Sequence, residues 1–364
     1  MKILHITNWF PNNDNSKEAL FIQRQINSLS KIESLDQKII HLSITPGKLR
    51  FKKEKSFGAN HIMVNIPTKR WILVEIVSFF LLSYQLLIHK ANNYNIINFH
   101  IAYPNLTFWH LIKKWIRPRV LITEHWSAYH FCFGLSDPPP RIQNIFRQKL
   151  PVVTVSNALM TDIKKFSESE FPGYIIPNIV DNEIFILNDQ VEREKNRFFM
   201  VAQWKDPKDP FTAIKAFDIF IKTNPESLFV IGGYGGLYDG MKQLIADYDL
   251  QGKVNLIGVM NPFEIALEMQ KASAYIHSSG YETFSVVCAE ALNCGCPVIA
   301  SNVGGIPEFV NEENGILVDE QSEKAFSNAM LEVVSNEKLG RGLNGFSADS
   351  IAERYFHVLD EISQ

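Results

Sequence analysis

Two carboxylates, Glu282 and Glu290, stand eight positions apart within residues 278–310, SSGYETFSVVCAEALNCGCPVIASNVGGIPEFV. A strand-like run from Ala274 (AYIHSS) leads into the first, and a helix-like run (FSVVCAEALN) carries the second. A Gly-Cys-Pro turn, a second apolar run (PVIAS) and a Gly304-Gly305 loop follow. A strand that turns directly into a helix aims the helix's first N–H groups and its positive dipole end beyond the sheet edge. An anion such as a diphosphate suits that place. Glu282, just ahead of the helix, can accept hydrogen bonds from hydroxyls, and Glu290 is expected about two turns in on the same side. Acceptor-only groups flanking an anion site fit a ligand that is part polyhydroxyl and part phosphate. A nucleotide sugar is such a ligand. The carboxylate spacing alone is commonplace; the strand–turn–helix setting gives it meaning.

The elements that must hold such a site alternate along nearly the whole chain. Strand runs are KILHIT, KIIHLSI, NIINFH, VLITEH, VVTVS and YIIPN in the first half, then RFFMVAQ, SLFVIGG, VNLIG, AYIHS, PVIAS and GILV. Segments of helical period lie between them at 17–30, 210–222, 238–248, 262–271 and 322–335. Continuous apolar strands imply parallel sheets covered on both faces, and repeated β–α units imply doubly wound domains. The expected fold is α/β, with two doubly wound Rossmann-like domains facing a central cleft at the carboxyl ends of their strands. Residues 1–180 form the first domain, 181–196 a polar linker and 197–345 the second domain. Residues 346–364 are expected as a helix packing back towards the first.

Composition bounds the function. The 364 residues are 46% hydrophobic and 21% charged, enough for two cores, and a net charge of −3 argues against a nucleic-acid partner. Basic patches at Lys48 (KLRFKKEK) and Lys113 (KKWIRPR) read first as solvated surface. Four cysteines without CxxC spacing read as reduced, packed thiols of a cytoplasmic protein. The N-terminal MKILHITNWFP reads as a buried strand rather than a secretory signal. The apolar segment WILVEIVSFFLLSYQLLI, from Trp71, is near spanning length, but Glu75, Ser78, Ser83, Tyr84 and Gln85 interrupt it and no second span exists. A core or interfacial helix is expected. With the basic patches it raises peripheral contact with an anionic membrane, on the inner face, beside the plainer reading of a soluble core helix.

IGGYGGLYDG, from Ile231, fails a dinucleotide fingerprint because Tyr238 stands where the third glycine is required. Gly233 and Gly235 read instead as a strand-to-helix loop that lets backbone approach a ligand.

The 278–310 stretch resembles the signature of the retaining glycosyltransferases of family 4, which have the GT-B fold. The Glu-x7-Glu pair, the EA-x-x-x-G-x-PV-I-A run and the GG-x-x-E loop (Gly304, Gly305, Glu308) match without a gap. The likeness extends along nearly the whole chain, closer in the second half. It implies donor contacts at Gln203, Lys208, Gly233, Gly235, Glu282, Thr283, Phe284, Ser285 and Glu290. Within VAQWKDPKDP, Lys208 keeps the position of a diphosphate-binding lysine. Gln203 replaces the family's arginine; an amide donates hydrogen bonds but cannot offset a phosphate charge, and Lys205 is the nearest replacement cation. On the acceptor side the resemblance places His125, beside Glu124, facing the transferred sugar, with His100 as a second family histidine. His125, Glu282 and Lys208 are the implied catalytic set. The loop NWFPNNDNSKEAL lacks the family's Gly-Gly turn, Ser156 is placed to cap a helix, and Asn178 and Asp181 match a hinge motif in which Ile179 replaces glycine.

No His/Asp cluster has metal spacing, so neither metal nor cofactor is expected beyond the donor itself, UDP- or GDP-linked. The resemblance implies hexosyl transfer with retention to a glycan or lipid-linked acceptor, in surface polysaccharide or lipopolysaccharide assembly. Two rivals stay open. One is a nucleotide-sugar epimerase, for which acid/base carboxylates are not identifiable. The other is a catalytically silent nucleotide-sugar-binding partner of another transferase, which the Gln203 departure keeps in view.

Overall fold

The computed structural model describes residues 1–137, 139–336, 343 and 345–364. The chain divides into two compact units, Met1–Ile179 with Ala348–Gln364, and Val180–Ser347.

In the first unit, β1 (Lys2–Thr7), β2 (Asp36–Pro46), β3 (Arg50–Ser56), β4 (Ala59–Ile66), β5 (Ile96–His100), β6 (Arg119–Glu124), β7 (Val152–Thr154) and β8 (Gly173–Ile175) form one sheet. Their order is β3-β4-β2-β1-β5-β6-β7-β8, and every neighbour is parallel except β3 with β4. Ile3, Leu4, Ile6, Ile96, Ile97, Phe99, Leu121 and Ile122 are buried, as a sheet covered on both faces requires. Its helices include α1 (Leu20–Leu29), α2 (Trp71–Ile88), α3 (Pro140–Arg147) and α4 (Asn157–Ser167). Ser156 caps α4 by accepting the Leu159 N–H at 3.1 Å.

The β3–β4 hairpin lies outside the strand runs expected from the sequence, although the Lys48 run is the solvated surface it was expected to be. Phe57 and Gly58, both at positive φ (50° and 77°), make the two-residue turn, whose geometry matches strand twist. The lysines of β3 occupy a sheet edge, where charge discourages pairing with another chain. Part of that charge is matched: Asp14 meets Arg50 at 3.0 Å and Lys52 at 2.8 Å, and Glu54 meets Lys52 at 2.8 Å.

In the second unit, β9 (Arg197–Gln203), α5 (Pro210–Ile221), β10 (Leu228–Tyr234), α6 (Tyr238–Asp247), β11 (Val254–Gly258), α7 (Pro262–Lys271), β12 (Ala274–His277), α8 (Val286–Asn293), β13 (Val298–Ser301), β14 (Gly315–Val318) and α9 (Glu323–Ser335) alternate strictly until the last β-β step. The parallel sheet runs β11-β10-β9-β12-β13-β14. That is the doubly wound order 3-2-1-4-5-6, whose direction reverses between β9 and β12; ligands of such sheets bind at that crevice. Phe198, Met200, Phe217, Phe220, Phe229 and Ile276 anchor its core.

Residues 181–196, expected as a linker, belong to the second unit. Asn293 Nδ2 donates to Asn182 at 2.7 Å, the Glu194 N–H donates to the Lys271 carbonyl at 2.8 Å, and Phe185 is buried. The polar composition that suggested a linker covers a segment stitched down by backbone hydrogen bonds.

The last helix, α10 (Ala348–Ser363), packs in the first unit, where Ile351, Tyr355 and Leu359 join Ile3, Ile96, Leu121 and Val153. Asn98 Nδ2 donates to the Tyr355 hydroxyl at 2.8 Å, which also meets Thr123 Oγ1, and Thr123 donates to Asn98 Oδ1 at 2.9 Å. Tyr355→Phe removes one corner of this buried triangle and leaves polar partners unsatisfied. The expected cost is about 1–3 kcal/mol, read as a lower urea midpoint at unchanged m-value.

Candidate functional site

The segments after β9 and β12, the two strands at the reversal point, are sewn together by backbone. The Gly280 N–H donates to the Pro207 carbonyl at 2.7 Å, and Ser278 Oγ to the Asp209 carbonyl at 2.7 Å. Asp209 in turn caps α5, accepting the Thr212 N–H at 3.2 Å. This scaffold brings Lys208 from the first segment onto Glu282 from the second, as a direct ion pair at Oε1.

His277, the last residue of β12 and fully buried, donates through Nε2 to the same Oε1 at 2.7 Å. A carboxylate only accepts, so this bond fixes the ring with its proton on Nε2. Ser285 Oγ approaches the same nitrogen at 3.3 Å, and Nδ1 makes no hydrogen bond. Burial alone would push the Glu282 carboxyl up, but Lys208 and His277 outweigh it and hold it down to about 2. The result is a carboxylate fixed in its charged form. The sequence reading missed His277: a lone histidine at the end of an apolar run reads as a strand residue. Its available signal was position, at a strand end five residues before Glu282.

The glycine loops press against this site. The Gly305 N–H donates to the Glu282 carbonyl at 3.0 Å, and a Cβ on Gly304, at φ 53°, would lie 1.8 Å from that oxygen. A Cβ on Gly233 or Gly235 would strike the Ala202 or Trp204 carbonyl at 1.9 or 2.2 Å, so the chain's own β9 loop already demands glycine at both positions. Gln203, at the end of β9, is exposed, as is Lys205.

Helix α8 begins at Val286, two residues later than the sequence pattern suggested, after Ser285 at φ 71°. Glu290 is thus little more than one turn in, not two, and is buried. Thr283 is half-buried, while the Phe284 ring packs at a tilt against Phe309 and Phe346, at 4.9 and 5.6 Å between ring centres, and pins the turn that presents Glu282.

In the first unit, His100 ends β5, Glu124 ends β6 and His125 follows it. Glu124 Oε1 accepts the Ala102 N–H and the Tyr129 hydroxyl, each at 2.7 Å, and burial pushes its carboxyl up to about 7. His125 packs against Phe21 at 4.8 Å between ring centres, and burial holds it down to about 3, hence neutral. Neither of its nitrogens makes a well-formed hydrogen bond. His100 Nε2 meets His5 Nδ1 and Asn98 Nδ2, each at 3.1 Å. Burial holds His100 well below the usual histidine range. The structure therefore gathers the two halves of the expected site separately: an ion-paired cluster in one unit and neutral histidines beside a carboxyl in the other. The thiols of Cys288, Cys294 and Cys296 are buried and form no disulfide.

Residues 183–344 match the family of glycosyl transferases, group 1. The match fills nearly all of the second unit and contains Lys208, His277, Glu282 and Glu290. N-acetyl-alpha-D-glucosaminyl L-malate synthase of Bacillus anthracis is 21% identical over 73% of this chain and 72% of its own length. Poly(glycerol-phosphate) alpha-glucosyltransferase of Bacillus subtilis is 26% identical over 59% of this chain, which spans only 32% of that protein. Among solved structures, Alr3699/HepE of Anabaena in complex with UDP and glucose superposes with a TM-score of 0.68 at 16% identity, covering 99% of each chain. The fold is GT-B, two Rossmann-like units of the kind found in solved glycosyltransferases.

Proposed function

We propose that this chain transfers a hexosyl group from a UDP- or GDP-linked donor to a hydroxyl of a glycan or lipid-linked acceptor, with retention of anomeric configuration. The observation that carries the reading is the Lys208–Glu282–His277 cluster at the strand reversal of a unit matching the group 1 family. Lys208 faces the diphosphate and offsets charge that grows on the leaving phosphate. Glu282, fixed as a carboxylate, accepts hydrogen bonds from sugar hydroxyls, aided by the backbone N–H groups of Phe284 and Ser285. Glu290 takes the ribose hydroxyls, and Gln203 donates where the family has a charged arginine. In the first unit, His125, with Glu124 and His100 at neighbouring strand ends, faces the transferred sugar and the acceptor. The acceptor hydroxyl attacks on the face the phosphate leaves, and its proton passes to the departing phosphate oxygen. The sugar's C1–O bond to phosphate breaks as the bond to the acceptor oxygen forms.

The setting we propose is the cytoplasm, at the inner face of a membrane where a surface polysaccharide or lipopolysaccharide is built. A thermal-shift panel of nucleotide sugars tests the binding half, because a ligand of the folded state raises apparent stability with the logarithm of its concentration. Nucleotide release from the donor so identified tests the chemistry. Binding without release under any acceptor mixture would favour a silent partner, the reading suggested by exposed Gln203 in place of a cation.

With Lys208 and backbone N–H groups supplying the positive charge, turnover is expected to survive excess EDTA. Loss of activity that magnesium or manganese restores would overturn metal independence.

A further inference from the structure

Helix α2 is built inside out. Its buried stripe carries Glu75, Ser78 and Gln85 beside Val74, Leu82 and Leu86. Arg141 Nε and the Tyr103 hydroxyl donate to Glu75 at 2.6 and 3.0 Å, and Ser78 donates to Asn105. The opposite stripe, at helical spacing 73, 76, 80, 84 and 87, is apolar and faces outward: Phe80 is 65% exposed and Leu87 76%. A soluble surface helix places these two sets the other way round. At about 1.5 Å per residue the 18-residue helix is roughly 27 Å long.

The apolar surface continues past both ends of the helix. A groove of about 500 Å³ separates the end of α2 from the 109–116 turns, with Leu86, Leu87, Ile112 and Trp115 among its walls. Trp115 is 61% exposed, with the Lys114 ammonium 4.8 Å above its ring. A second groove, of about 530 Å³, opens at Trp71 between Tyr103, Phe131 and Leu135. Exposed cations rim both ends: Lys69 and Arg70 before the helix, then Lys90, Lys113, Lys114 and Arg117. From Lys55 to Thr123 the one acidic residue is Glu75, and it is buried.

We propose that this face of the first unit docks onto an anionic lipid leaflet, lying on it and not crossing it. A helix anchored to its fold by a buried carboxylate, a serine and a glutamine cannot leave to span a bilayer without exposing those groups to hydrocarbon. An apolar stripe ringed by cations and an interfacial tryptophan suits the headgroup boundary. A neutral apolar partner would leave the cations unmatched, and a second copy would set cation against cation. In the Lys48 run, Arg50 and Lys52 are paired with Asp14 and Glu54. The inference goes beyond sugar transfer and needs no turnover to be tested.

The test is flotation of the full chain with vesicles of phosphatidylcholine alone or with phosphatidylglycerol. Expected is flotation with the anionic vesicles only, reversed by high salt because surface attraction is screened beyond about 8–10 Å at physiological ionic strength. Lys113→Glu with Lys114→Glu should weaken apparent vesicle affinity by about ten-fold or more, and Phe80→Glu with Leu87→Glu should abolish flotation. Both variants alter exposed side chains, so thermal midpoints and nucleotide-sugar shifts should be unchanged, which separates a failed docking surface from a failed transferase. Absence of flotation at low salt, or flotation indifferent to both variants, overturns the proposal. So does a lipid-free dimer that Phe80→Glu with Leu87→Glu converts to monomer, since the face would then be a self-interface.

Discussion

Lys208→Ala is expected to lower turnover by about ten- to a thousand-fold, with a smaller change in donor affinity. Lys208 is half-buried and pairs with a carboxylate that is more deeply buried still. When a diphosphate leaves as a nucleotide, negative charge grows on its terminal oxygen. A cation already fixed beside that position stabilises the charge without reorganisation, which a mobile surface lysine does not. Gln203 makes the dependence sharper, because the residue in the arginine position carries no charge to share the task. Lys205, exposed on the same loop, is the nearest alternative, so Lys205→Ala is the companion measurement. A folded Lys208→Ala enzyme with wild-type turnover, while Lys205→Ala is slow, would move the role to Lys205. Wild-type turnover in both would remove cationic stabilisation from the reading. Removing Lys208 also strips Glu282 of the charge that keeps its carboxyl down, so the variant should gain an acid-side loss of activity that the parent lacks.

Much of this arrangement was legible in the residues. RFFMVAQ, VNLIG and GILV coincide end to end with β9, β11 and β14, because buried parallel strands are short, continuous apolar runs bounded by polar turns. Lys208 and Glu282 were legible too, since each follows such a run and the doubly wound order brings the ends of those two runs side by side. Three features lay outside what pattern can reach. The strands of the β3–β4 hairpin carry charge on an exposed edge, so neither alternation nor apolar continuity marked β3. In α2 the composition gave a long apolar helix, but its direction depends on which stripe finds partners. Arg141, Tyr103 and Asn105, from remote segments, turn its polar side inward. His277 gains its meaning only from a carboxylate five residues on, across a turn whose course is set by Phe284 packing on Phe309 and Phe346. Sequence spacing reports periodicity within an element; it does not report which side chain a turn folds back upon.

Glu282→Ala is the second substitution with a large expected effect, and its signature should differ from that of Glu290→Ala. Ribose hydroxyls are present equally in ground and transition states, so losing Glu290 should mainly weaken nucleotide binding and leave kcat near its starting value. The sugar ring changes shape and charge as its bond to phosphate breaks, so a carboxylate fixed on its hydroxyls acts more strongly in the transition state, and losing it should lower kcat more than affinity. His277 permits a finer test. Its Nε2–H holds Oε1, leaving the other carboxylate oxygen to face a ligand, so His277→Gln, which keeps a donor, should retain more turnover than His277→Ala at equal nucleotide affinity. A merely structural histidine would lower stability in both variants without separating kcat from KM. The Glu282 carboxyl, held near 2 against an ordinary 4.5, is ionised in the fold throughout the neutral range. Its stabilising contribution is present above about pH 4.5 and is lost as pH falls towards 2. The acid-side drop in thermal midpoint should therefore be shallower in Glu282→Ala than in the parent. Unchanged kinetics in a folded Glu282→Ala protein would detach the cluster from catalysis altogether, whatever the nucleotide shift showed, because no other charged group in it is so firmly fixed.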